Sequence, residues 1–199
     1  MIENKPTIYN TPTIYNTGAG GGGGGGVGAI QFSSIYFSSE QTINLPQTLE
    51  KANLCIIFSF VKINNTQTML TLYNGSNANG YVNIGSNGAL RVNNKTASYS
   101  DEIAINTPDQ SVVIRQGAYR RFENSGITNW SCLYQNDNIN KIKINGTIKR
   151  IAFYYGTIND FGQDNKTIDF RPCIEEGQQG FKEIVSGDFY QLSSCTVSP

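Results

Sequence analysis

The stretch Lys141-Ile142-Lys143-Ile144-Asn145-Gly146-Thr147-Ile148-Lys149-Arg150-Ile151-Ala152-Phe153-Tyr154-Tyr155 holds the signals that decide the fold. Its first four residues alternate polar and apolar without exception, as a strand with one wet face must. Asn145-Gly146 supplies residues that tolerate positive φ, between Ile144 and Ile148, and so predicts a tight hairpin turn. Lys149–Tyr155 then predicts a second strand, rich in β-branched and aromatic residues. No 3.6-residue period competes with this pattern here or elsewhere in the chain.

Working outward, the same grammar recurs from about residue 29 to residue 199. Strands are predicted at Ile30–Phe37, Leu54–Ile63, Thr68–Tyr73, Tyr81–Ile84, Ala89–Val92, Ser111–Arg115, Ser131–Gln135 and Phe181–Ile184. Leu54–Val61 is nearly all apolar and reads as a central strand buried on both faces. Asn74-Gly75 and Asn87-Gly88 predict two further hairpins. Ten or more short strands at this spacing predict an all-β, antiparallel, two-sheet sandwich of the jelly-roll kind. About 170 residues suffice for one core without disulfide staples.

Ahead of this domain lie two unlike segments. Residues 1–17 contain the tandem hexapeptide Pro6-Thr7-Ile8-Tyr9-Asn10-Thr11, Pro12-Thr13-Ile14-Tyr15-Asn16-Thr17. Each proline favours extended geometry, and each copy offers one Ile-Tyr pair too short of partners to bury itself. The expectation is a docking peptide whose anchors are Pro6, Ile8, Tyr9, Pro12, Ile14 and Tyr15, set in strand addition or in grooves of another protein. Residues 18–28 hold nine of the 21 glycines, seven of them consecutive. They have no Lys-Ser/Thr after them, so a phosphate loop is rejected. A flexible linker is expected, with a polyglycine bundle as the alternative.

Composition narrows the function. The chain has 15 basic and 15 acidic residues, no histidine, 23 Asn and 23 Ile. At 15%, charged residues fall well below the usual ~25%. The balance lacks a basic nucleic-acid footprint, and the missing histidine removes Ser-His and Cys-His chemistry. Cys55, Cys132, Cys173 and Cys195 form no CxxC pair; free thiols are expected, with Cys55 a small buried hydrophobe. No apolar run has the length of a membrane span, and the start lacks a secretory pattern. The six Asn-x-Ser/Thr sequons are near chance in so Asn-rich a chain.

The segment Ile168-Asp169-Phe170-Arg171-Pro172-Cys173, followed by Gly180-Phe181 and Ile184-Val185-Ser186-Gly187-Asp188-Phe189-Tyr190, resembles a recurring ending of phage virion proteins. These close a concanavalin A-like (laminin G-like) sandwich with "D-hydrophobic-x-P-C", "G-aromatic" and "hydrophobic-S/T-G-x-F-Y". The resemblance covers about 45 residues, including the aromatic strand Lys149–Tyr155. It implies a surface appendage of a phage particle, often oligomeric. Read physically, Pro172 is expected to stop a ladder, Gly187 to make a turn, and Phe189-Tyr190 to face the core.

Candidate chemistry is sparse. No Glu-x-Asp-x-x-Glu strand occurs, and Glu175-Glu176 would point to opposite faces, so a glycosidase pair is not expected. The loop 159–165 has oxygens but no calcium spacing. Arg120-Arg121 reads as a solvated hairpin edge. Trp130, with Tyr134 and Asp137, is the candidate sugar-binding group. With what the resemblance implies, the expectation is a non-enzyme without cofactor: a structural virion protein, a head fibre displaying a lectin-like sandwich at the virion surface. Its expected partners are a capsid or tail protein through residues 1–17, copies of itself as a trimer or dimer, and a host-surface glycan. A tail-fibre or tail-tip receptor-binding protein and a free lectin are the alternatives. Nucleic acid and membrane insertion are not expected.

Overall fold

A computed structural model describes residues 30–61, 67–84, 90–93, 109–115, 118–121, 127–129 and 138–199. Apart from one 3-10 turn, Asp160–Gly162, its regular elements are all strands. They are β1 (Ile30–Gln31), β2 (Ser34–Leu49), β3 (Leu54–Val61), β4 (Gln67–Asn74), β5 (Asn77–Ile84), β6 (Leu90–Asn93) and β7 (Asp109–Arg115). There follow β8 (Ala118–Arg121), β9 (Ile127–Asn129), β10 (Ile139–Tyr155), β11 (Lys166–Glu175), β12 (Gln178–Glu183), β13 (Phe189–Gln191) and β14 (Cys195–Ser198). All pairings are antiparallel, within one continuous 14-stranded sheet.

The organising element is β10, which contains the whole stretch quoted first. Its early residues lie between β2 and β4, with Ile142 opposite Ile43 on one side and Leu72 on the other. Its late residues lie between β3 and β11, with Phe153 opposite Ile56 and Ile168. One half of the sheet therefore runs β14-β2-β10-β4-β5-β6. The other runs β13-β12-β11-β10-β3-β7-β8-β9, with β1 beside β11. Asn145-Gly146 is not the hairpin that its sequence predicts. It is an irregularity inside a single strand, where the register against β2 shifts between Ile144 and Gly146. Gly146 has φ +81°, and its N–H donates to the Asn145 side chain at 2.8 Å. The same positive φ that makes a turn also makes a bulge, and a bulge lets a strand bend and change partners.

The two halves share one core. Ile35, Phe37, Leu72, Ile142 and Ile144 of the first half join Ile56, Phe58, Val112, Ile151, Phe153, Ile168, Phe170 and Phe181 of the second in a single buried cluster. Phe37 and Phe181 meet across it at 6.0 Å between ring centroids. This all-β, antiparallel arrangement is consistent with a β-sandwich. β3 is buried on both faces, as its apolar run predicts. Its even-numbered residues enter the main core, while Cys55 and Ile57 pack with Val113, Ala152, Tyr154 and Ile158 on the opposite side.

The closing segment differs from its reading at Pro172. The ladder does not stop there, since Pro172 stands mid-strand opposite Phe181. Its carbonyl accepts the Phe32 N–H at 2.9 Å. The missing donor faces that same edge, where β11 passes from β10 to β1 and no ladder bond is lost. Gly187 does make a turn, with φ +82°. Tyr190 packs edge-on against Phe170 at 5.2 Å, whereas Phe189, on the other face of β13, is half-buried. Asn74-Gly75 serves its predicted hairpin, Asn74 pairing with Asn77. An unpredicted hairpin is Glu176-Gly177, both at positive φ (50° and 79°) between paired Glu175 and Gln178, the signature of a type I′ turn. β11, β8, β9, β14 and the extension of β2 to Leu49 were not predicted either. The predicted strand 131–135 and the Asn87-Gly88 turn lie outside the described residues.

Candidate functional site

The predicted anchors Pro6, Ile8, Tyr9, Pro12, Ile14 and Tyr15, the glycine segment, and the sugar candidates Trp130, Tyr134 and Asp137 all lie outside the described residues. Arg120-Arg121 falls on β8, which is not an edge: Arg120 pairs with Val113 on β7 and with Ile127 on β9. In the loop 159–165 three of the oxygens are already in use. Asp160 Oδ2 accepts the Thr157 N–H at 2.6 Å. The Lys166 ammonium donates to the Gln163 carbonyl and, at 3.0 Å, to Asn165 Oδ1. A protein cation thus stands where calcium would need ligands. Among the described residues no three His, Cys, Asp or Glu side chains are grouped to hold a metal, and no helix is long and apolar enough to cross a membrane.

The strongest polar constellation is on the second half-sheet, on the face turned away from the main core. Alternation explains its membership: Ile151, Phe153, Ile168 and Phe170 point inward, so Arg150, Asp169 and Arg171 point out. Ile151 pairs with Phe170, and one step further the two arginines come side by side. Like charges so placed repel, unless a counter-charge is shared. Asp169 provides it. Arg150 donates through Nε and Nη2 at 2.9 and 2.7 Å, and Arg171 does the same at 2.9 and 3.2 Å. The Asp169 side chain is only 8% exposed, against 19% for Arg150 and 37% for Arg171.

This carboxylate is positioned from behind by a second one. Glu183, buried, accepts backbone N–H groups from Asp169 at 2.7 Å, Val185 at 3.1 Å and Ser186 at 2.6 Å. Alongside, Lys182 holds Glu175 at 2.9 and 2.8 Å. Strand register extends the arginines into a row. Ser111 and Ser59 are paired and hydrogen-bonded at 2.9 Å, and Ser59 pairs with Arg150. Arg171 pairs with Lys182, and Lys182 with Phe189. Lys166 lies close by, its ammonium pushed below the usual lysine range chiefly by burial and next by Arg150.

A smaller cluster sits on the outer face of the first half-sheet. Lys141 and Lys143 approach the Tyr73 ring at 5.1 and 5.5 Å from its centroid, and Lys143 pairs with Glu40 at 2.8 Å. The strict alternation of 141–144 had announced both lysines on one face. In the arginine row, by contrast, Asp169 and Arg171 belong to the closing motif and read only as strand closure. What links them to Arg150 is a strand pairing that their spacing does not announce.

Among the described residues the three thiols, Cys55, Cys173 and Cys195, are free and at least half-buried. Burial pushes Cys173 up to about 11 and is also the first cause raising Cys55 and Cys195, which keeps the nucleophilic thiolate scarce at neutral pH. Cys55 is buried, as predicted. Compared with known proteins, the chain matches no family model and no curated protein.

Proposed function

We propose that this chain is a structural protein of a phage particle, a head fibre. In this reading residues 1–17 dock on a capsid protein, residues 18–28 form a flexible joint, and a concanavalin A-like jelly roll is displayed outward for adhesion. The observation that carries it is the order of three unlike segments: a duplicated Pro-Thr-Ile-Tyr-Asn-Thr peptide, a glycine run, then a β domain with the closing motif 168–190. Two identical short anchors suit repeated equivalent grooves on a symmetric shell and add avidity.

The two buried carboxylates, Asp169 and Glu183, favour display over catalysis. Asp169 is taken up by two guanidinium groups, and Glu183 by three backbone donors. Glycosidase chemistry needs two carboxyl groups facing the sugar, and neither of these is presented that way.

Deletion of residues 1–28, followed by purification of particles and quantification of this chain, tests the anchor. Incorporation should fall to background while the domain stays folded by circular dichroism. Undiminished incorporation would defeat the reading.

A further inference from the structure

We propose that the arginine row on the outer face of the second half-sheet binds a carboxylate-bearing saccharide, with Arg171 as the primary contact and Arg150 behind it. The proposal rests on the display reading only for the source of the ligand, a surface glycan. The site itself stands on geometry.

The first support is the donor inventory. A guanidinium carries five N–H donors in a rigid fork and accepts nothing. Arg150 and Arg171 both use their Nε and Nη2 edge on one carboxylate. The Nη1 amino group of each has no protein partner among the described residues. A ligand carboxylate approaching these groups meets charge-assisted donors, stronger than neutral ones.

The second support is charge. The four cations Arg150, Arg171, Lys166 and Lys182 are balanced by the carboxylates Asp164, Asp169, Glu175 and Glu183. Within the Arg150–Asp169–Arg171 cluster, however, the shared carboxylate is buried at 8% exposure and Glu183 behind it at 1%, while Arg171 is 37% exposed, so the cluster presents a guanidinium outward. A polyphosphate or nucleic acid would need a broader basic surface.

Preorganisation is the third. The Asp169 backbone is tied on both sides, its N–H to Glu183 and its carbonyl to the Ile184 N–H at 2.9 Å. Both forks are therefore aimed before any ligand arrives, which lowers the ordering cost of binding. Arg171 is also the most open of the three side chains Arg150, Asp169 and Arg171.

The rest of the row gives the ligand its class. Beyond Arg150, the half-buried Ser111 carries a hydroxyl that rests on buried Ser59, and half-buried Phe189 lies beyond Lys182. Neighbouring strands are about 4.8 Å apart, so Arg150 to Lys182 covers on the order of 10 Å. A cationic centre flanked by one hydroxyl and one ring complements a sugar acid, with its carboxylate, hydroxyls and apolar C–H face.

The test uses the purified full chain, titrated by calorimetry with trigalacturonate, with neutral galactotriose and with acetate. Trigalacturonate should bind, weaken as salt is raised, and exceed both controls. Arg171→Gln should weaken it at least tenfold, and Arg171→Lys should restore part of the loss. Arg115→Gln, which changes the charge equally away from the row, should leave it intact. A thermal melt of each variant checks folding. Equal binding of the neutral sugar, no loss in a folded Arg171→Gln, or no binding of trigalacturonate overturns the proposal. Acetate binding as tightly as trigalacturonate overturns the saccharide assignment. Particle incorporation is measured separately, so a blank titration leaves the anchor reading standing.

Discussion

Glu183 and Asp169 are joined through the backbone: Glu183 Oε1 accepts the Asp169 N–H at 2.7 Å, with Glu183 itself 1% exposed. The same carboxylate closes the 183–188 turn through Val185 and Ser186, so a single buried side chain holds two strands and a loop in place.

Replacing Glu183 by Ala should therefore leave three N–H groups without their acceptor and lower stability by about 3 kcal/mol. Glu183→Gln keeps one acceptor oxygen and should cost about 1 kcal/mol. Urea unfolding of both variants checks the ranking. Equal stability of wild type and Glu183→Ala would mean that water replaces the carboxylate without loss.

Gly146 and Gly75 both have positive φ, at 81° and 57°, but in different surroundings. A Cβ at Gly75 meets nothing within 4 Å, whereas one at Gly146 lies 3.1 Å from the Gln67 amide. Gly75→Ala should cost about 1 kcal/mol from backbone conformation alone. Gly146→Ala should cost more, about 2 kcal/mol, because Gln67 must also shift. Thermal unfolding measures the difference, and the reverse order would contradict the bulge at the bend of β10.

Gly180, first met in the closing motif, is required by close approach. A Cβ there would run into the Tyr190 carbonyl oxygen and lie 3.0 Å from its carbon. Gly180→Ala should push β13 off β12, at a cost of roughly 3 kcal/mol. Hydrogen exchange at residues 189–191 should then accelerate well beyond that of β11, and unchanged protection would argue against it.

The Cys173 thiol, raised from 9.0 to about 11 by burial, makes stability depend on pH with a definite sign. Its folded value lies above its unfolded one, so the contribution is complete below pH 9. It is lost as the pH climbs through 11, up to about 3 kcal/mol. The difference in unfolding free energy between wild type and Cys173→Ala, followed from pH 8 to 11.5, should shrink by that order. A pH-independent difference would show that the thiol does not titrate between the two states.

Sequence alone settled what is local. Alternation at 141–144 put the lysines on one face, the apolar run at 54–61 placed β3 inside, and Asn74-Gly75 turned a hairpin. Each depends on side-chain period or on residues that tolerate positive φ, which a few neighbours are enough to express. Tertiary structure decided what depends on partners. Asn145-Gly146 can turn a chain or bend it, and the exchange of β2 and β4 for β11 and β3 made it a bend. Pro172 can end a ladder or stand in one, and the change from β10 to β1 let it stand. Glu176, an unlikely-looking turn residue, turns a hairpin because β11 and β12 pair tightly on either side. Arg150 and Arg171 lie 21 positions apart in the chain, and only antiparallel pairing brings both to Asp169. The reason is common to all four: local preference sets which conformations a residue tolerates, while non-local pairing and burial select among them.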